Sequence, residues 1–164
     1  MKARFFRATV LIAALALVWS WIQLPERVAI HFDFSGAPDN WASRSGAVLI
    51  MGAICLGMFL LFWALARWLP RLPLSLLNLP PATKARWVEA GQERQLKASM
   101  GEDLYVIGGL TMLLLSGVQV LTVLANRREP AALGWGAIVL VGLFLAAITT
   151  WTVGMLRRYR EPPA

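Results

Sequence analysis

Four apolar stretches, residues 8–24, 47–68, 104–125 and 131–156, carry no charged residue in their interiors. Each is close to or above the ~20 residues a helix needs to cross the hydrocarbon of a bilayer. The expectation is therefore an all-α membrane protein: a four-transmembrane-helix bundle forming one integral membrane domain over residues 1–164. Composition agrees, with 58% hydrophobic and 15% charged residues. About half the chain remains outside the spans, in short segments that leave no room for a second globular domain.

The net charge of +7 invites a nucleic-acid reading, but its distribution points elsewhere. Lys2, Arg4 and Arg7 precede the first span. Arg67, Arg71, Lys84, Arg86, Arg94 and Lys97 lie at or within the second connection, and Arg157, Arg158 and Arg160 follow the last span. The first and third connections hold only Arg27, Arg44, Arg127 and Arg128. Twelve basic residues against four in alternate segments predict both termini inside (N-in/C-in), with the first and third loops outward. Anionic lipid headgroups are the natural partners of the inner face. No nucleic-acid-binding motif accompanies the basicity.

Trp19, Trp21, Trp41 and Trp135 fall at the expected outer ends; Trp63, Trp68, Trp87 and Trp151 fall at or near the inner ends. Two aromatic belts are expected from that placement. Ser20–Pro25 lacks a small-x-small cleavage pattern, so the first stretch is expected to remain as a span. Cys55, the single cysteine, lies within the second span, where a small packing role is expected.

The first loop is the most distinctive segment. Val28, Ile30, Phe32 and Phe34 alternate with Ala29, His31 and Asp33, a period-two pattern that predicts a strand-like element. Ser35–Asn40 supplies turn residues. His31 and Asp33 are expected on one face, where the carboxylate can hold the imidazole cationic. Three uses follow for His31, Asp33, Gly36, Pro38, Asp39 and Trp41. They can form a recognition edge for an amphipathic peptide, with the acids meeting basic groups and the aromatics giving apolar area. They can cap loop backbone so that the loop folds onto the bundle. Or His31, Asp33 and Asp39 can ligate a metal, although three ligands without a second His or an outward Cys make a poor set.

Pro25, His31-Phe32, Gly36, Pro38-Asp39, then Trp41 and Arg44 before the second span resemble a family of small bacterial membrane proteins of mostly unknown function. The domain of that family also forms the N-terminal part of immunity proteins against sporulation-delaying-protein toxins. Asn78-Leu79-Pro80, Trp87 and Glu93-Arg94 are similar to a later stretch of the same family. The resemblance implies a multi-pass protein of the bacterial cytoplasmic membrane that recognises a secreted peptide or toxin and relays occupancy to a cytosolic regulator. The larger immunity proteins carry further spans than the four seen here.

Ser116, Gln119, Thr122 and Asn126 share one face of the third span. A Gln amide in hydrocarbon needs partners, so this face is expected to look into the bundle and join helices by hydrogen bonds. Ala53/Gly57, Gly142/Ala146 and Thr150/Gly154 are small-xxx-small pairs that permit close helix approach. Ser99 and Glu102 have capping-box spacing, which predicts that the third helix starts near Met100, with Glu102 and Asp103 at its positive end. Between spans two and three, an amphipathic segment is expected at the inner interface.

No charged group lies within a span, which argues against a proton-coupled carrier. There is no Gly-rich phosphate loop, nucleophile elbow or metal-binding His spacing, so neither catalysis nor a cofactor is expected. A structural subunit packed on a larger membrane partner is the alternative to peptide recognition, with a small-solute channel or carrier third.

Overall fold

The computed structural model describes residues 1–163. Helix α1 (Lys2–Gln23) leads into a hairpin of β1 (Arg27–Phe32) and β2 (Pro38–Ser43). Helix α2 (Arg44–Trp68) follows, and two 3-10 turns at Leu69–Arg71 and Leu74–Leu76 lead to α3 (Pro81–Glu89), α4 (Glu93–Asn126) and α5 (Gly136–Tyr159). Helices α1, α2, α4 and α5 are long and apolar enough to cross a membrane.

Helix α4 is the centre of the bundle. It packs on α1, α2 and α5, whereas α5 has α4 as its main neighbour. The middle of the core joins Phe6 and Ala13 of α1, Cys55 of α2 and Met112 of α4. Close approach is made by glycines of α4. A Cβ on Gly101 would lie 2.8 Å from the Ala66 carbonyl oxygen, and one on Gly108 would lie 2.8 Å from Phe62. The small-xxx-small pairs do not do this job: a Cβ on Gly57 or Gly142 would meet nothing within 4 Å. Those glycines sit on outward faces, so the motif marks room for a neighbour and not a contact within this chain.

Sequence expectations for helix ends need correction. Helix α2 starts at Arg44 because the Ser43 hydroxyl accepts the Gly46 amide at 3.1 Å, a side-chain N-cap. Helix α5 starts at Gly136 rather than residue 131. Helix α4 does not start near Met100 but at Glu93, so Ser99 and Glu102 lie mid-helix and cap nothing. The break falls at Gly91, whose φ of +68° suits glycine. There the Gln92 amide bonds the Trp87 carbonyl and the Gly91 amide bonds the Val88 carbonyl, a Schellman closure of α3. Past it, Glu93 and Lys97 pair at 2.9 Å one turn apart and the helix runs on unbroken.

The connection between α2 and α4 is a packed cap. Leu79, Trp87, Leu96 and Tyr159 form a buried cluster, and the Trp87 indole N–H donates to the Tyr159 carbonyl at 2.9 Å. Trp87 is therefore a core residue and not part of an aromatic belt. Burial of apolar area against the ends of α4 and α5 drives this closure where water is present.

Candidate functional site

The hairpin sits over one end of the bundle, opposite both termini. Its root is set by Leu24, Val28 and Val123, which pack together with Trp19, Ala47 and Val48 around them. Asn126, at the last turn of α4, then binds it as a strand would. Its Nδ2 donates to the Ala29 carbonyl at 3.0 Å, and its Oδ1 accepts the Ala29 amide at 2.7 Å. A second tie is made at the tip. The Gly36 carbonyl accepts the Leu133 amide at 3.0 Å. Gly36 has φ +84°, and a Cβ there would lie 2.6 Å from the Leu133 oxygen, so only glycine fits. The Arg127 guanidinium also donates to the Gln23 side-chain oxygen.

The strict alternation expected for β1 fails. Register breaks between Ala29 and His31 and between His31 and Phe32, and Val28 and Ala29 are both buried. A bulge spends a residue without a partner and re-aims its neighbours. His31 consequently faces Asp39 and not Asp33: its Nδ1 lies 2.6 Å from Asp39 Oδ1, with the side chains 68% and 46% exposed. Asp33 closes the turn. Its Oδ1 accepts from the Ser35 amide at 2.8 Å, the Ser35 hydroxyl at 2.6 Å and the Ala37 amide at 3.0 Å. The Ser35 hydroxyl foremost, then the Ala37 amide, hold its carboxyl below the ordinary aspartate range. Pro38 opens β2 opposite Phe32. Trp41 pairs with Ala29 and carries the Arg27 guanidinium 4.8 Å above its ring. Phe34, expected to continue the alternation of Val28, Ile30 and Phe32, lies beyond β1 and is fully exposed.

Residues 8–56 match the family model of a domain of unknown function, DUF1648.

No curated protein and no solved structure matches the chain. The DUF1648 match spans α1 from Ala8, the whole hairpin and the first half of α2. His31, Asp33, Gly36, Pro38, Asp39 and Trp41 all fall within it. Asn126 and Leu133, which pin the hairpin, lie outside it, as do Asn78–Pro80, Trp87 and Glu93-Arg94.

The polar face of α4 does turn inward, but it is not the interhelical glue expected. Ser116 returns its hydroxyl to the Met112 carbonyl at 2.8 Å, and Thr122 to Val118 at 2.9 Å, both within α4. Gln119 is 3% exposed; its Nε2 reaches only Cys55 Sγ at 3.9 Å, and its Oε1 has no partner. Asn126 alone makes strong bonds to another element.

Sequence reasoning missed a charged cluster at the terminal end. Asp103, 1% exposed, accepts from Lys2 Nζ at 2.7 Å, from Arg158 at 3.1 Å and from the Tyr159 hydroxyl. These contacts join α1, α4 and α5. Arg158 also stacks over Trp151, 5.0 Å from its centroid. Asp103 is thus not a dipole partner at a helix start but the hub of a three-helix clamp. Among the described residues, no three His, Cys, Asp or Glu side chains gather as a metal set.

Proposed function

We propose that the chain is a multi-pass protein of the bacterial cytoplasmic membrane that recognises an extracytoplasmic, cationic amphipathic peptide through its hairpin. In this reading both termini lie inside and the hairpin faces outward. The distribution of basic residues supports that orientation, and the twelve at the terminal end meet anionic headgroups.

The observation that carries the reading is a hairpin fixed at two points yet exposed along its working side. Strand β1 has β2 on one edge and the Asn126 amide on the other. The other edge is that of β2, which carries Asp39 and Trp41 and has no strand beyond it among the described residues, with the Trp41 amide held by the Asn40 side-chain oxygen at 2.8 Å. An extended peptide adds along such an edge by backbone hydrogen bonds, with side chains giving selectivity. Asp39 meets a Lys or Arg of the peptide, and Trp41 and Phe34 supply apolar area. Because the hairpin is already ordered, little conformational entropy is lost on binding. Helix α4 runs unbroken from the hairpin anchor Asn126 to the Asp103 clamp, the path by which occupancy reaches the cap and a cytosolic regulator.

The test is binding by the full chain in bilayers. His31→Ala and Asp39→Ala abolish peptide binding while insertion is unchanged; wild-type binding by both variants refutes the reading.

A second reading, a subunit packed on a larger membrane partner, is favoured by α5. Of its residues only Tyr159, at the terminal end, is buried, and Gly142 faces open space. Co-purification with a membrane protein that Gly142→Leu abolishes would establish it.

A further inference from the structure

A groove of about 420 Å³ runs between α4 and α5 toward the terminal end. Val106 and Leu110 line it from α4; Ala146, Ala147, Thr150 and Gly154 line it from α5. Larger side chains would close such a helix pair, but α5 offers methyls, a hydroxyl and no side chain at all. Arg158 stands at one end, with Trp151 beside it. Ala146 and Arg158 are twelve residues apart, roughly 18 Å along a helix. One leaflet supplies about half of the ~30 Å of bilayer hydrocarbon. The groove therefore has the length of one leaflet, is apolar along its course and is basic at its end.

The charges at that end leave room for an anion. Arg158 of α5 and Lys2 of α1 lie 5.0 and 5.9 Å from the centre of the Trp151 ring. Both bond one carboxylate, Asp103, which balances only one of them. Glu102 also approaches Lys2, at 3.9 Å, but is turned to solvent. A guanidinium has five N–H donors and an ammonium three. Asp103 takes one from each, and the Arg158 side chain is 48% exposed, so its remaining donors are within reach of a ligand. A phosphodiester brings the single negative charge that balances the second cation. A free phosphate would use the cations and leave the apolar groove unfilled; a plain hydrocarbon would do the reverse.

We propose that this groove is a binding site for one anionic phospholipid, whose phosphate bridges Arg158 and Lys2 while one acyl chain lies between α4 and α5. The site rests on insertion of the chain in a bilayer and not on peptide recognition by the hairpin. It narrows the general attraction of the basic end for anionic headgroups to one place.

The test uses the full chain in nanodiscs of mixed phosphatidylglycerol and phosphatidylcholine, with the lipids retained on the released chain identified by native mass spectrometry. One phosphatidylglycerol should be retained over phosphatidylcholine by about tenfold, the scale of one charge-assisted hydrogen bond. Arg158→Gln should remove that preference. Arg157→Gln, which removes the same charge from an exposed neighbour outside the groove, should keep it. Ala147→Trp fills the groove without touching either cation and should release the lipid; with the Asp103 clamp intact, it guards against misfolding of the Arg158 variant. Equal loss in the two arginine variants assigns the preference to general surface attraction and overturns the site. Equal retention of the two lipids, or retention of phosphatidylglycerol by Ala147→Trp, overturns it as well. Displacement of the lipid by inorganic phosphate alone assigns the cations to a soluble anion and also overturns it; retention in its presence supports the lipid. Loss of peptide binding in the hairpin variants leaves this result unaffected.

Discussion

Asn126 and Ala29 pair through both polar atoms of the asparagine amide, at 2.7 and 3.0 Å. One side chain at the end of a long apolar helix thereby does the work of a third strand. The Ala29 backbone is buried, so neither its N–H nor its C=O can turn to water instead.

Replacing Asn126 with Leu removes both bonds to Ala29 and leaves its two backbone groups orphaned. The expected cost is about 2–4 kcal/mol, concentrated in the hairpin. Amide exchange should rise across residues 28–42 and stay unchanged in the core around Met112. Uniform protection in the variant would show that Leu133 and the Val28 cluster suffice.

Breaking the clamp at the opposite end should cost more. Asp103→Ala strands Lys2 and Arg158 without their shared carboxylate and unpairs the Tyr159 hydroxyl. The expected loss is about 3 kcal/mol or more, as for other buried pairs broken on one side. Lys2→Met should cost clearly less, because Arg158 and Tyr159 still hold the carboxylate and Lys2 is itself 30% exposed. Reversible unfolding in bicelles measures the difference; equal losses would contradict the hub role of Asp103.

Glycines separate by environment. Gly101→Ala places a methyl 2.8 Å from the Ala66 oxygen, so a backbone must shift, at about 1–3 kcal/mol. Gly142→Ala meets nothing within 4 Å and should leave the stability of the isolated chain unchanged. Thermal unfolding of the two variants side by side checks both.

The turn at Asp33 should depend on pH in one direction. Its folded carboxyl is held below its ordinary value, chiefly by the Ser35 hydroxyl. The contribution is therefore fully present above the ordinary aspartate range and is lost as pH falls through the lowered folded value. Protection of the Ser35 and Ala37 amides should persist at neutral pH and disappear only in strong acid, and Asp33→Ala should abolish it at all pH. Loss of protection already at mildly acidic pH would contradict the three-bond turn.

The four long apolar helices were legible in the sequence because a twenty-residue apolar run has few other ways to satisfy its backbone in a membrane. The first strand of the hairpin was legible too, from alternation; the second was not, because Pro38–Asn40 have turn chemistry yet open β2. The hairpin's register was not legible: the strand bulges at His31, beside Ala29, whose partner Asn126 lies nearly a hundred residues away in the chain. The same limit hid the clamp, whose members Lys2, Asp103, Arg158 and Tyr159 share no local pattern. The start of α4 was misplaced because Ser99 and Glu102 also have the spacing of any pair one turn apart, while Gly91 carried the true stop. His31 and Asp39 were both singled out, but their pairing across the hairpin followed only from that register.

The most direct measurement places a photo-cross-linking residue at Asn40, between Asp39 and Trp41 on β2, in intact cells. Mass spectrometry of the adducts should reveal a discrete secreted peptide or outward-facing protein, diminished by Asp39→Ala. Adducts confined to lipid or to the chain itself would contradict recognition by the hairpin.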